Sequence, residues 1–251
     1  MRFSIVIPNY NGGKWTEKCL NSILNQTFKD YEIIFVDDIS TDGSLKKAID
    51  IIGDKHPATF IKNTTKRLNG GTRNVGIAEA SGDYILCIDC DDWFIDNKVL
   101  EDINNKLKDE DIMYLGYVMS ETEKNPFIFN IKDKMEAFNN PFAAPWLKVV
   151  KRELYLKAPF PEGTLYEDRI QNYELVLNAK TFTNLGRATH FWNRKNENSI
   201  TYNPKWRNYR FEYCGEIYRL LEKVEDEKMK QNLIDELKMY IKSCCEMVEE
   251  L

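Results

Sequence analysis

Short apolar runs alternate with amphipathic stretches along the first half of the chain, and that alternation leaves few folds open. Phe3–Ile7 (ended by Pro8), Tyr31–Val36, Thr59–Lys62, Tyr84–Ile88 and Ile112–Met119 read as strands, rich in β-branched and aromatic residues. Between them, Trp15–Asn25 carries Trp15, Cys19, Leu20, Ile23 and Leu24 at helical spacing. Ser44–Ile52, Gly71–Ala80 and Val99–Leu107 read as further helices. Strand and helix in strict turn predict an α/β fold, with a mostly parallel central sheet flanked by helices and right-handed crossovers. Ligands of such sheets bind beyond the carboxyl ends of the strands.

Two of these strands end in acids. Tyr31–Val36 runs into Asp37-Asp38, and Tyr84–Ile88 into Asp89-Cys90-Asp91-Asp92. Lone acids after strands are usually turn or capping residues. Here the clusters follow long apolar strands, so they should share one rim. Carboxylates gathered in one cleft repel one another unless something positive compensates. Hard oxygen ligands suit Mg²⁺ or Mn²⁺ better than zinc, and D-x-D spacing points alternate side chains of an extended segment the same way. The residues alone leave both readings open, a metal–phosphate site and a set of turn acids.

Several classes are excluded. Neither G-x-G-x-x-G nor G-x-x-x-x-G-K-[ST] occurs; the first strand is followed by Asn9-Tyr-Asn-Gly-Gly13. With only two histidines, His56 and His190, a three-histidine metal site within one chain is impossible. Net charge is −5, with 40 acids against 35 bases, which makes nucleic acid an unlikely partner. No signal peptide is expected ahead of the six cysteines, which are read as reduced thiols. Cys87 and Cys90 have CxxC spacing without a second pair, and in a strand they would face opposite sides.

Four motifs, in order, carry a resemblance: Ser4-Ile-Val-Ile-Pro-Asn-Tyr-Asn11, Glu32-Ile-Ile-Phe-Val-Asp-Asp-Ile-Ser-Thr-Asp-Gly-Ser44, Gly70-Gly-Thr-Arg-Asn-Val-Gly76 with Ala80-Ser-Gly-Asp-Tyr-Ile85, and Asp89-Cys-Asp-Asp92. Together they resemble family 2 glycosyltransferases of the GT-A fold. Further on, Ala144-Pro-Trp-Leu-Lys148, Lys151-Arg-Glu-Leu154, Phe160-Pro-Glu-Gly163 and Leu165-Tyr-Glu-Asp168 resemble the acceptor-side segment of bacterial polysaccharide and capsule transferases. Trp192-Asn-Arg194 and Asn198-Ser-Ile-Thr201 resemble the loop that closes it. The resemblance covers residues 1–201 and is absent from the tail.

It implies transfer of a sugar from a nucleoside diphosphate donor, UDP being the expected nucleotide, to an acceptor hydroxyl with inversion. The acceptor would be a glycan, a lipid-linked species or another hydroxyl compound. Asp91 would hold Mn²⁺ or Mg²⁺, with Asp89 assisting or touching the ribose. Asp38 would read the base edge, Asp37 being the less certain of the pair, and Pro8, Asn9 and Tyr10 would border the base. Arg73 would contact the base or diphosphate, unless it is a plain surface arginine. Asp168 would take the acceptor proton, with Glu167 orienting an acceptor hydroxyl or supporting Asp168; both acids also suit the first turn of a helix. Arg194 and Ser199 would bind the diphosphate. His190 is expected to be a packed histidine rather than a metal ligand. Two positions depart from the family pattern: Ile39 stands where glycine is common, and Cys90 sits inside the D-x-D.

The expected organisation is a catalytic domain over 1–204, with a nucleotide-sugar half (1–119) and an acceptor half (120–204), then a helical appendage over 205–251. Residues 122–161 hold five of the 8 prolines and read as irregular. Asp168–Leu177 reads as a helix, and Thr181–Leu185 and Thr189–Trp192 as two short strands. The tail reads as helices over Lys205–Val224 and Glu227–Leu251, the second with an apolar stripe of Ile234, Leu237, Ile241, Cys244, Val248 and Leu251. That stripe is expected to pack on the domain; a membrane-surface or homodimer contact stays open. The location expected is cytoplasmic, with peripheral placement at the inner membrane face also open. Two rival functions remain: a nucleotidyltransferase, whose glycine- and arginine-rich first loop is missing here, and a non-catalytic binding or scaffold subunit.

Overall fold

The structure is a computed structural model; residues 1–119, 125–140, 142–196 and 210–249 are described, as backbone only at 210, 211 and 246–249. Four helices alternate with strands to open it, as predicted: β1 (Phe3–Asn9), α1 (Thr16–Leu24), β2 (Tyr31–Asp37), α2 (Ser44–Ile52), β3 (Ala58–Lys62), α3 (Leu68–Glu79), β4 (Tyr84–Cys87), β5 (Trp93–Phe94), α4 (Val99–Lys106) and β6 (Ile112–Val118). Then come α5 (Lys134–Asn139), a 3-10 turn (Pro145–Leu147), β7 (Lys148–Lys151), α6 (Arg152–Lys157), α7 (Glu167–Asn178), β8 (Phe182–Phe191), α8 (Arg210–Leu221) and α9 (Glu227–Glu249).

One sheet runs in the order β3-β2-β1-β4-β7-β6-β8-β5. β1 pairs in parallel with β2 and β4, and β2 with β3. β7 lies antiparallel between β4 and β6, where the sequence reading had only an irregular connection. Its four residues, Lys148-Val-Val-Lys151, are too few to show a period. β6 and β8 are parallel, and β5 closes the far edge antiparallel to β8. The two strands expected around residues 181–192 are one: Gly186, at φ 84°, absorbs a break in register that would otherwise end the strand.

Alternation along the strands builds a core on each face. Ile5, Ile7, Ile33, Phe35, Leu86 and Ile88 meet α1, α2 and α4 on one side. Val6, Ile34, Val36, Ile85, Cys87, Tyr114 and Val150 meet the other helices. Cys87 belongs to the second cluster while Cys90 packs against the first, so their CxxC spacing does pair opposite faces.

The second cluster continues without a break into the tail, through Tyr213, Ile217, Leu220, Val224, Met229 and Leu233. The buried face of α9 differs from the expected stripe. Cys244 is buried and Leu237 packs against the cluster as expected, but Met229 and Leu233 are buried as well, whereas Ile241 is 47% exposed. Tyr240 explains the rotation: its ring packs 4.6 Å from Tyr213 and 5.9 Å from Tyr166 and draws its own side of the helix inward. Val248 and Leu251 lie outside the described side chains.

Candidate active site

The carboxyl ends of β1, β2 and β4 gather Asn9, Asp37, Asp38 and the Asp89–Asp92 turn. Most of these side chains are already committed. Asn9 is 1% exposed and donates to Asp37 (2.7 Å), Ser40 (3.0 Å) and Ser44 (2.8 Å), while its Oδ1 accepts the Gly12 amide. Asp37 also accepts the Ser40 amide at 3.0 Å. These bonds fix the loops after β1 and β2 to each other. Pro8 pairs with Val36 inside β1, which runs two residues past the predicted strand end at Ile7.

Asp38, buried at 2% exposure, accepts from Asn63 (2.9 Å), the Arg67 amide (2.9 Å), the Leu68 amide (3.0 Å) and Lys66, whose Nζ lies 3.2 Å from Oδ2. Burial alone would raise its carboxyl; Asn63, the Arg67 amide and Lys66 hold it below the usual range. An ionised carboxylate has about four acceptor positions, and all four are taken here. Lys66 also lies over the ring of Tyr10, which is 54% exposed at the rim. The turn is strained: Ile39 sits at φ 64° and Leu68 at φ 58°. A β-branched residue there is a clear outlier, so the family's glycine at position 39 has a physical reason. The Asp38–Leu68 bond holds the second of these residues in place.

Arg73 is neither a surface arginine nor an open arm of the cleft. At 2% exposure its guanidinium donates to Asp89 at 2.7 Å and to Glu167 at 3.0 Å. It thereby ties the end of β4 to the first turn of α7. Gly70 makes the approach feasible: a Cβ there would lie 2.7 Å from the Pro161 carbonyl oxygen and 2.8 Å from Glu167 Cγ. Glu167 is pushed up to about 7 by burial and then by Asp168, with Arg73 opposing. Asp168 follows it on α7 and accepts the Arg169 amide at 2.8 Å.

Asp91 and Asp92 are closed over by the segment after β8. Asn196 donates to Asp91 at 2.7 Å, and the Asn193 amide to Asp92 at 2.8 Å. Burial and then the charge of Asp89 push the Asp91 carboxyl up; burial and then Asp91 push Asp92 up. Arg194 lies 5.2 Å over Trp192 on the same segment. Ser199 lies outside the described residues. No group of three or more potential ligands is assembled among the described residues. Asp89 and Asp91 nevertheless fit a hard divalent cation as a partial set, since both offer carboxylate oxygens and the Asp91 carboxyl is raised by burial and then by Asp89.

His190 is 1% exposed, 5.1 Å from the ring of Phe94 and 5.8 Å from Trp146, and burial pushes it down to about 3. It is packed as expected. Sequence reasoning passed over Asn63 and Lys66, although they follow β3 on the same rim, and Asn193 and Asn196. It also passed over Lys148, which is fully buried, donates to Ala143 O (2.7 Å) and Asn172 (2.9 Å), and is driven down to about 7 by burial against the pull of Asp168.

With this geometry in view, comparison with known proteins is decisive at the level of family. Residues 4–164 match the model of glycosyl transferase family 2. The chain belongs to that family. Among relatives of this family 2 member, the glycosyltransferase GlyA of Streptococcus pneumoniae is 26% identical over 242 residues, 88% of this chain and 34% of GlyA. The chain thus spans about a third of that relative's length. In fold it is similar to residues 1–349 of TarS from S. aureus, solved with UDP-GlcNAc (TM-score 0.73, 20% identity, 97% of this chain and 72% of that one). It is also similar to the mannosyltransferase PcManGT of Pyrobaculum calidifontis, solved with GDP-Man and Mn²⁺ (TM-score 0.64, 16% identity, 94% of this chain and 69% of that one). The mixed sheet flanked by helices is the GT-A arrangement of these structures.

Proposed function

We propose that the chain is a metal-dependent, inverting transferase that moves a sugar from a nucleoside diphosphate donor, a UDP-sugar in the first instance, to an acceptor hydroxyl in bacterial surface-glycan synthesis. The observation that carries this reading is the Arg73 bridge, which ties Asp89, the first acid of the D-x-D, to Glu167, the neighbour of Asp168. Family membership and the nucleotide-sugar complexes of similar folds support it. Catalytic, donor and acceptor parts are assigned to 1–204, with the helices of 205–251 packed on the acceptor half.

Asp91 and Asp89 would hold Mn²⁺ or Mg²⁺, which when bound supplies positive charge for a leaving diphosphate. Arg194, and Ser199 after it, would meet the same diphosphate. Pro8, Asn9 and Tyr10 border the base, and Asp37 shapes the loop beneath it. Asp38 reads a base N–H when Lys66 gives up its acceptor position. Arg73, shielded from a donor by its two carboxylates, positions those acids. Asp168 accepts the acceptor hydroxyl proton as that oxygen bonds to the anomeric carbon and the bond to the diphosphate breaks. Glu167 supports Asp168 from its buried seat on Arg73.

The test is a screen of nucleotide sugars for release of nucleoside diphosphate, followed by Asp168→Asn on the substrate found. Turnover should fall by about two to four orders of magnitude while donor binding stays. Full transfer by Asp168→Asn would remove the base assignment.

A further inference from the structure

We propose that the acceptor enters through a cleft whose outer wall is the tail helix α9, and that the acceptor group it seats is a neutral, hydroxyl-bearing sugar or polyol. This rests on the transferase reading above. It adds the tail's wall to the acceptor site and narrows the acceptor's class, because the family motifs stop before the tail and leave the hydroxyl compound open.

A cleft of about 580 Å³ opens between the start of α7 and α9, lined by Asp168, Arg169, Asp235, Glu236, Met239 and Tyr240. The candidate base, Asp168, is part of that lining. Successive residues at the start of α7 diverge: Glu167 turns to Arg73 and the donor side, whereas Asp168 lines the cleft. Asp168 therefore stands between the two, where a base must stand to take a proton from an incoming hydroxyl.

The outer wall is fixed and not merely adjacent. Glu236 of α9 accepts from Arg169 Nη2 (3.3 Å), from the Tyr213 hydroxyl (2.5 Å) and from the Tyr173 hydroxyl. Arg169 is the residue after Asp168, and its Nη1 donates to the Asn140 carbonyl at 2.6 Å. One carboxylate thus couples the wall to the residue beside the base.

The lining selects by charge. Three carboxylates, Asp168, Asp235 and Glu236, meet two cations that are both already engaged: Arg169 in the lining, held by Glu236 and the Asn140 carbonyl, and Lys238 beside it, 3.4 Å from Asp235. An anionic acceptor group would meet repulsion without a free cation in this lining. Hydroxyl groups can donate to Asp168 and Asp235, Glu236 being filled by Arg169, Tyr173 and Tyr213. Met239, 60% exposed, and Tyr240 offer apolar surface to the C–H face of a sugar ring.

The experiment uses the whole chain and saturation-transfer NMR. The neutral probes are p-nitrophenyl β-glycosides of glucose, galactose and N-acetylglucosamine; the anionic probe is glucose 6-phosphate. Met239→Trp narrows the cleft mouth, and Ile241→Trp places the same bulk on an exposed part of α9 outside the lining; both positions are exposed, so folding is not at issue. At least one glycoside should bind, with affinity about tenfold weaker in Met239→Trp and unchanged in Ile241→Trp, and glucose 6-phosphate should bind more weakly than the glycosides. The proposal is overturned if no glycoside binds, if Met239→Trp binds like the unsubstituted chain, or if the phosphate probe binds as well as the neutral ones. A parallel titration with UDP reads the donor site alone, so failure of the transferase reading shows there while the glycoside result still decides the cleft.

Discussion

At the residue scale, Arg73 is the side chain on which most depends. Its fork is the feature a lysine cannot copy, because one ammonium cannot reproduce two separated bonds from a planar group. Arg73→Lys should leave one buried acid without its partner and cost about 1–3 kcal/mol, read as a melting temperature lower by several degrees. An unchanged melting temperature would mean that the bridge contributes nothing in solution. None of this was legible in the sequence, where Arg73 and Glu167 are 94 positions apart and each admits a local role. The acids after β2 and β4 were legible, because long apolar strands announce where their ends lie. Ile39 was legible only as a departure from pattern; its φ of 64° supplies the reason.

His190 gives a residue-scale prediction with a definite sign. Burial lowers its folded-state pKa to about 3, below the ordinary histidine value that an unfolded chain would show. A neutral buried histidine therefore contributes its full stability above that ordinary value and loses it as pH falls toward 3. His190→Phe removes this dependence. Melting curves from about pH 7.5 down to about pH 5 should show the variant gaining on the unsubstituted chain. A constant gap would contradict a buried, neutral His190.

At the element scale, α7 and α9 are joined by more than apolar contact. Leu233 and Met229 bury the helix, but Glu236 sets where it sits, by gathering Arg169, Tyr173 and Tyr213. Removing one member of a largely buried ion pair strands the other. Glu236→Ala should cost about 3 kcal/mol or more and lower the melting temperature by roughly 10 °C. A loss under a degree would show the network to be incidental. Two elements were misread for physical reasons. β7 is too short for periodicity, and its first residue is a lysine whose burial depends on Ala143 and Asn172, partners no window of sequence reveals. The α9 stripe was drawn through aliphatic residues, whereas the tyrosine cluster turns a neighbouring face inward.

At the scale of the whole molecule, one sheet brings together four things the chain keeps apart: strand-end acids, the α7 acid pair, the closing segment after β8 and the tail. The α/β class and the rim were readable because local periodicity dictates them. The bridge across the cleft and the tail's share in it come from long-range packing, which periodicity does not encode. No helix among the described residues is long and apolar enough to cross a membrane. The central claim is a cation-assisted nucleoside diphosphate site at Asp89 and Asp91. It is tested most directly by calorimetric titration of the whole chain with UDP, with and without Mn²⁺, alongside Asp91→Asn. UDP should bind about tenfold or more tightly with Mn²⁺, and Asp91→Asn should abolish that gain. Binding that ignores Mn²⁺, or a gain that survives Asp91→Asn, would contradict the account.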